Sequence, residues 1–332
     1  MAEPFETQIA HTAEESDLSP RARASAIYRE CSTKSAKEDG DKNTLWISAI
    51  SAISNTSLRY TRFNRPINEF VWDMHDLWHL FYHASMNINE DRPEQDRLVG
   101  QVLYARELGI LKRKGKDMEV IGEAVTTQGK IWKDLPFLVE DMTDYWTRDC
   151  GTMTKSQRMN FASFLAKLSA VGVGESGLCG CALVILRETL ETKRPLVNAV
   201  TPEVLEDGEH NRHGTENLSV ADLLPAANMW LFKAGNKVIE LSQNSEDLFP
   251  AQTGALGELA QAEGIVPAHG GFSPQRWLFW LKRLEELENE ASGEDKELAA
   301  FAQGVRNNMI LMAGESDSEM SRELEHRGLL LF

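Results

Sequence analysis

Residues 66–88 read PINEFVWDMHDLWHLFYHASMNI, and the periodicity of this stretch decides the fold. At about 100° per residue, Phe70, Met74, Leu77, Phe81 and Ile88 fall on one face, with Val71, Trp78 and Tyr82 at its edge. That pattern predicts an amphipathic helix turned toward a core. The opposite side is not simply polar. His75, His79 and His83 share it with Trp72 and Met86, and only Asp73, Asp76 and Asn87 form a narrow polar strip. A helix that is apolar around most of its circumference is expected to be central. Pro66 suits its first turn, where a missing N–H costs nothing.

The three histidines raise the question of a metal. Imidazoles at i and i+4 can chelate one ion. His75 and His83, however, are separated by roughly 12 Å along a helix axis at 1.5 Å per residue, so one straight helix does not present all three to one ion. No HExxH motif is present, because Asp76 follows His75 and Leu80 follows His79. The expectation is therefore no metal and no cofactor. Three imidazoles hydrogen-bonded to neighbours, or facing a polar groove, are the simpler account. Trp72 beside His75, Asp76, His79 and His83 is the composition of a small-molecule pocket between helices, and these five residues are the candidate ligand-binding set.

Working outward, the chain has 332 residues, 42% hydrophobic, with eight tryptophans, enough to bury a sizeable core. A net charge of −16 argues against nucleic acid and against an anionic membrane surface. The N-terminus lacks the basic start and apolar run of a secretory signal, and no stretch reaches the roughly 18 apolar residues of a membrane span. The cysteines Cys31, Cys150, Cys179 and Cys181 fit neither a disulfide framework nor a zinc site. A cytoplasmic protein with reduced thiols is expected.

Residues 1–18 read as a disordered tail, and 19–332 as a single all-α domain of about ten to twelve helices. Ser19-Pro20 opens a short helix, and a second spans about 44–57. Leu98, Val102, Ala105 and Leu108 mark the helix after the central one. LKRKGKD at 111–117 reads as an exposed basic loop, and VIGEAVTTQGKIW at 120–132 as a short helix or irregular segment. Pro136 opens a helix, and Thr154 with Gln157 forms a capping box for the next. An apolar helix is expected at about 178–192, and one from Ser219 that carries Leu223 through Ile239. Long loops are expected near 193–217 and 243–271, the second with one short helix. Ser273-Pro274 is an N-cap and first-turn pair for a helix whose core residues include Trp277 and Trp280. Two further helices finish the chain.

Gly172, Gly174 and Gly177 match GxGxxG, but a dinucleotide site needs a strand before the first glycine. Here the preceding NFASFLAKLSAV reads as helix, so the glycines are expected to cap it and turn the chain. No P-loop lysine and no GxSxG elbow are present. Asp73 with Asp76, and Glu285 with Glu286, read as solvated or salt-bridged faces rather than acid–base pairs.

Three stretches together resemble a fungal family catalogued as domain of unknown function three-six-three-two. They are DLWHLFYHASMNINEDRPEQDRLVGQVLYARELGIL at 76–111, DYWTRDCGTMTKSQRMNFASFLAKLSAVGV at 144–173, and GFSPQRWLFWLKRLEEL at 271–287. Their order and spacing carry the resemblance across roughly residues 40–313. It implies a helical, intracellular, fungal protein. It brings no established activity, so no catalytic residue is carried over, and the three histidines lie outside the shared pattern.

The preferred functional expectation is a non-catalytic protein that binds a protein partner or small ligand through a groove beside the central helix. The alternative is an enzyme of fungal specialised metabolism with a pocket between helices.

Overall fold

The computed structural model describes residues 24–30, 33, 42–62, 66–198, 215–246, 249–265, 270–314, 319–326 and 328. The expected N-terminal tail and the Ser19-Pro20 cap lie outside the described residues, as does most of the loop expected at 193–217. The fold is all-α, with two very short strand pairs among the described residues. Contacts divide the chain into two compact units, residues 1–145 and 146–332.

Unit 1 is built on α3, Asn68–Asn87, preceded by α1 at residues 24–30 and α2, Lys42–Arg62. Fourteen of the twenty residues of α3 are buried, which makes it the inner element of its unit. Phe70, Met74, Leu77, Phe81 and Ile88 are all sealed from solvent. The helix begins two residues after Pro66, with Ile67 at the N-cap. α2 packs along α3 and also touches α4, Pro93–Glu107. Pro93 opens α4, and Leu98, Val102 and Ala105 are buried beneath it, whereas Leu108 has left the helix and is exposed.

The basic segment at 111–117 is not a plain loop. β1, Lys112–Lys114, pairs antiparallel with β2, Val120–Glu123. β3, Val125–Thr126, pairs with β4, Gly129–Lys130. Strands this short cannot show an alternating pattern, and both faces of the first ribbon are largely exposed, so hydrophobicity carried no signal. Arg113 anchors the ribbon: its guanidinium lies 4.4 Å from the centre of the Tyr60 ring, and Nε donates to the Tyr60 carbonyl at 3.1 Å. Before α5, Leu138–Asp149, both Leu135 and Phe137 have positive φ, 49° and 67°. Left-handed backbone at a bulky residue is strained. Here it turns the Phe137 ring against His75, 4.5 Å between ring centres.

Unit 2 pairs α6, Lys155–Ala170, with α8, Val220–Lys233, and α12, Pro274–Ala291, with α13, Lys296–Gly314. The predicted caps form. Thr154 accepts from Gln157 N and Gln157 returns the bond. Asp222 accepts from Ser219 N at 2.9 Å and from the Ser219 hydroxyl at 2.7 Å, and Ser273 accepts from Arg276 N. The glycine motif ends α6 instead of cradling phosphate. Gly172, at φ 72°, donates to Ser169 O and Val173 N donates to Leu168 O, the pattern of a Schellman cap.

Two expectations for unit 2 need correction. The helix from Ser219 breaks at Ala234, and α9, Gly235–Gln243, starts afresh with Gly235 against Met312. Among the described residues the segment 243–271 holds two short helices, α10 (Ala251–Gly254) and α11 (Glu258–Ala262), where one was expected. The helix expected at about 178–192 forms as α7, Cys179–Leu186, continued by a π-helical turn, Arg187–Glu191. The last helix is α14, Glu319–His326. Among the described residues no helix is long and apolar enough to cross a membrane.

Candidate functional site

The histidines of α3 follow from its sequence: a spacing of four places them along one side of the helix, where Asp141 and Tyr145 of α5 meet His75 and His79. His75 is 1% exposed, and its Nδ1 lies 2.8 Å from both carboxylate oxygens of Asp141, itself 6% exposed. One proton bridges the two groups. Burial pulls His75 down to about 3, with the Arg29 charge acting in the same direction. Burial likewise pushes the Asp141 carboxyl well above the usual range. The imidazole is therefore neutral at physiological pH.

His79 and His83 face each other, Nε2 to Nε2 at 3.2 Å, so one donates and the other accepts. His83 Nε2 also lies 3.1 Å from the Thr33 hydroxyl, which in turn donates to the Arg29 carbonyl at 2.9 Å. Burial, then the neighbouring His83, drives His79 down to about 2. Its Nδ1 is buried without a hydrogen-bond partner among the described residues. Aromatic rings seal this corner: Tyr145 stacks on Tyr82 at 4.4 Å and 13°, and meets His79 edge-on at 5.8 Å. Beside it, burial and the adjacent Glu140 and Asp141 raise Asp144 to about 6.

Asp76 is turned elsewhere. It accepts from Arg29 Nε at 2.8 Å and from the Ser25 hydroxyl, both on α1. Asp73 accepts from Arg59 on α2 at 2.8 Å. Between α1, α2 and α3 runs a half-open groove of about 410 Å³. Tyr28, Ala52, Thr56 and Arg59 form its walls, and Asp73, Asp76, Leu77 and Leu80 its floor. Of the five candidate residues, only Asp76 lines this groove. Trp72 is half-buried on α3, His75 and His79 are buried on the side away from the groove, and His83 is half-buried there.

This arrangement has a limited chemical repertoire. A histidine–aspartate pair can hold a general base in one tautomer, but it works only where the other nitrogen can reach a reacting group. Here Phe137 covers the ring, and almost none of it is open to solvent. Among the described residues no three His, Cys, Asp or Glu side chains converge as a metal set. Sequence reasoning found the imidazoles but missed their partners Asp141, Tyr145 and Thr33. Nothing in linear spacing joins residues 66 positions apart, as His75 and Asp141 are. The groove lies along the side of α3 away from the histidines.

Residues 78–284, more than half of the chain, match the model of a family described as protein of unknown function (DUF3632). A relative from Penicillium oxalicum, "Oxopyrrolidines biosynthesis cluster protein G", is 36% identical over 242 residues. That match covers 71% of this chain and 66% of the relative, so the chain spans just under two thirds of that protein's length. No solved structure matches the chain.

Proposed function

The chain belongs to this family of unknown function, and on that premise we propose that it is a non-catalytic binding protein of fungal specialised metabolism. It holds a small molecule in the groove between α1, α2 and α3. The observation that carries this reading is the division of α3 into two sides. Its imidazoles are spent on internal partners under aromatic cover, while its other side, with Asp73 and Asp76, opens into a 410 Å³ groove. That volume is within the range of small-molecule sites, roughly 300–1,000 Å³. The name of the Penicillium relative supports placing the ligand among products or intermediates of a biosynthetic cluster, and an oxopyrrolidine is the first class to try.

The second reading, an enzyme of the same metabolism, draws on that same name, since clusters consist largely of the proteins that make a metabolite. It needs a reacting group within reach of the ligand, and the acids of the groove, Asp73 and Asp76, are already paired with arginines.

The test is native mass spectrometry of the full chain against a panel of 2-oxopyrrolidines bearing apolar substituents. The binding reading predicts a one-to-one complex whose ligand is released with unchanged mass. Ala52→Trp fills the groove from its half-exposed wall and should abolish the complex while leaving the circular dichroism spectrum unaltered. A ligand released with altered mass would establish the enzyme reading. A complex that survives Ala52→Trp would remove the groove from the account.

A further inference from the structure

Proline inside a helix leaves a mark on the residue four positions before it, because it has no N–H to donate to that carbonyl. Pro225 is the sixth residue of α8, so the carbonyl of Ala221 loses its helical donor. Ala221 and Pro225 both line a half-open cleft of about 320 Å³ within unit 2. One turn further along α8, Asn228 lines the same cleft, half-buried, its side-chain amide without a partner among the described residues. The rest of the lining is mixed: Met159 from α6, Met229 from α8, and Leu298 and Phe301 from α13 are apolar, while Lys155 and Glu297 are exposed and charged and Asp295 is half-buried. Thioether side chains shape themselves to varied ligands and favour contact with aromatic rings.

We propose that this cleft is a second small-molecule site, for a ligand that carries an amide N–H or hydroxyl donor on a compact apolar or aromatic body. The donor meets the Ala221 carbonyl left open by Pro225. The Asn228 amide supplies both a donor and an acceptor for the ligand's own carbonyl or hydroxyl. The apolar body lies against Met159, Met229 and Phe301. A helix carbonyl without its helical donor and an amide without a protein partner, two turns apart along one cleft, are polar groups that fix a ligand's orientation against the apolar side chains there. The site is separate from the groove on α3 and does not depend on it.

The test uses the full chain with its methionine methyl groups labelled with carbon-13, titrated with N-benzylacetamide. Saturable shifts are expected at the Met159 and Met229 methyls. The N-methylated analogue N-benzyl-N-methylacetamide, in which a methyl group replaces the donor hydrogen, should bind about tenfold more weakly, the loss of one good hydrogen bond. Pro225→Ala restores an N–H opposite Ala221 and should weaken binding of N-benzylacetamide by a similar factor without lowering the melting temperature. Asn228→Leu, should Pro225→Ala disturb the fold, removes the second polar group and should weaken binding in the same way. Ala52→Trp should leave these shifts unchanged. Absence of saturable shifts at the two methyls overturns the proposal. So does equal binding of the two amides, or unchanged binding in both Pro225→Ala and Asn228→Leu.

Discussion

Arg276→Ala should lower the unfolding free energy by about 3–5 kcal/mol, the cost of removing one partner from a buried ion pair. Arg276 and Glu191 are both fully buried. Arg276 Nε donates to Glu191 Oε1 at 2.6 Å and its second terminal nitrogen to Oε2 at 3.1 Å. The other terminal nitrogen donates to the carbonyls of Gly254 and Gly271, at 3.0 and 2.7 Å, and a further bond reaches Ala255 O at 3.0 Å. Glu191 also accepts from the Trp280 indole at 2.7 Å and from Gly257 N at 2.8 Å. One guanidinium thus ties α12, the end of the π-helical turn and the segment carrying α10 and α11. Alanine would leave a carboxylate and several carbonyls buried with no donor of comparable strength. Chemical denaturation followed by circular dichroism measures the loss. Arg276→Lys, which keeps the charge but not the fork, should cost less yet remain well destabilised. Arg276→Met with Glu191→Leu should recover much of the loss, because the buried charge leaves with its partner. A loss below about 1 kcal/mol for Arg276→Ala would show that the pair is not buried as described.

Trp78→Ala should cost unit 1 about 3–5 kcal/mol, the range for truncating a large buried aromatic. Trp78 is 0% exposed, its ring centre lies 5.9 Å from that of Phe81, and its indole N–H donates to the Pro136 carbonyl at 2.8 Å. That bond holds the chain just ahead of the left-handed Phe137 that covers His75. Trp78→Phe keeps most of the volume but drops the donor, so it should cost less than the alanine. It should also raise amide exchange at residues 135–138 more than elsewhere in the unit. A small, uniform effect of Trp78→Ala would mean that this side chain is not part of the core.

The residues that could be read from the sequence are those whose role is local. The period of Phe70, Met74, Leu77 and Phe81 gave α3 and its burial, because a helix repeats every 3.6 residues whatever it packs against. The boxes at Thr154 and Ser219 and the pair Ser273-Pro274 gave helix starts, because a cap is complete within four residues. The break at Ala234 and the two strand pairs were not legible, since they depend on packing and on pairing across a turn. The candidate site divides in the same way. His75, His79 and His83 stood out by type and spacing. Asp141 lies on another helix, and the Glu191–Arg276 pair spans 85 positions of sequence. No local pattern announces such a pairing.

The account rests on His75 and His79 being sealed structural groups, with ligand chemistry on α3 confined to the other side of the helix. Nitrogen-15 spectroscopy of the histidine side chains, assigned with His75→Gln and His79→Gln, tests this directly. Both side chains have folded values depressed well below 6.5, to about 3 and about 2. Below that pH the unfolded chain therefore binds protons that the folded chain does not, and each imidazole withdraws up to about 1.4 kcal/mol of stability per pH unit. Asp144, raised to about 6, works in the opposite direction between about pH 6 and 4. The predicted result is that His75 and His79 keep the nitrogen shifts of neutral imidazole from pH 8 to pH 5 while the protein stays folded. Titration of either near 6.5 in the folded protein would place that imidazole in contact with solvent and contradict the account.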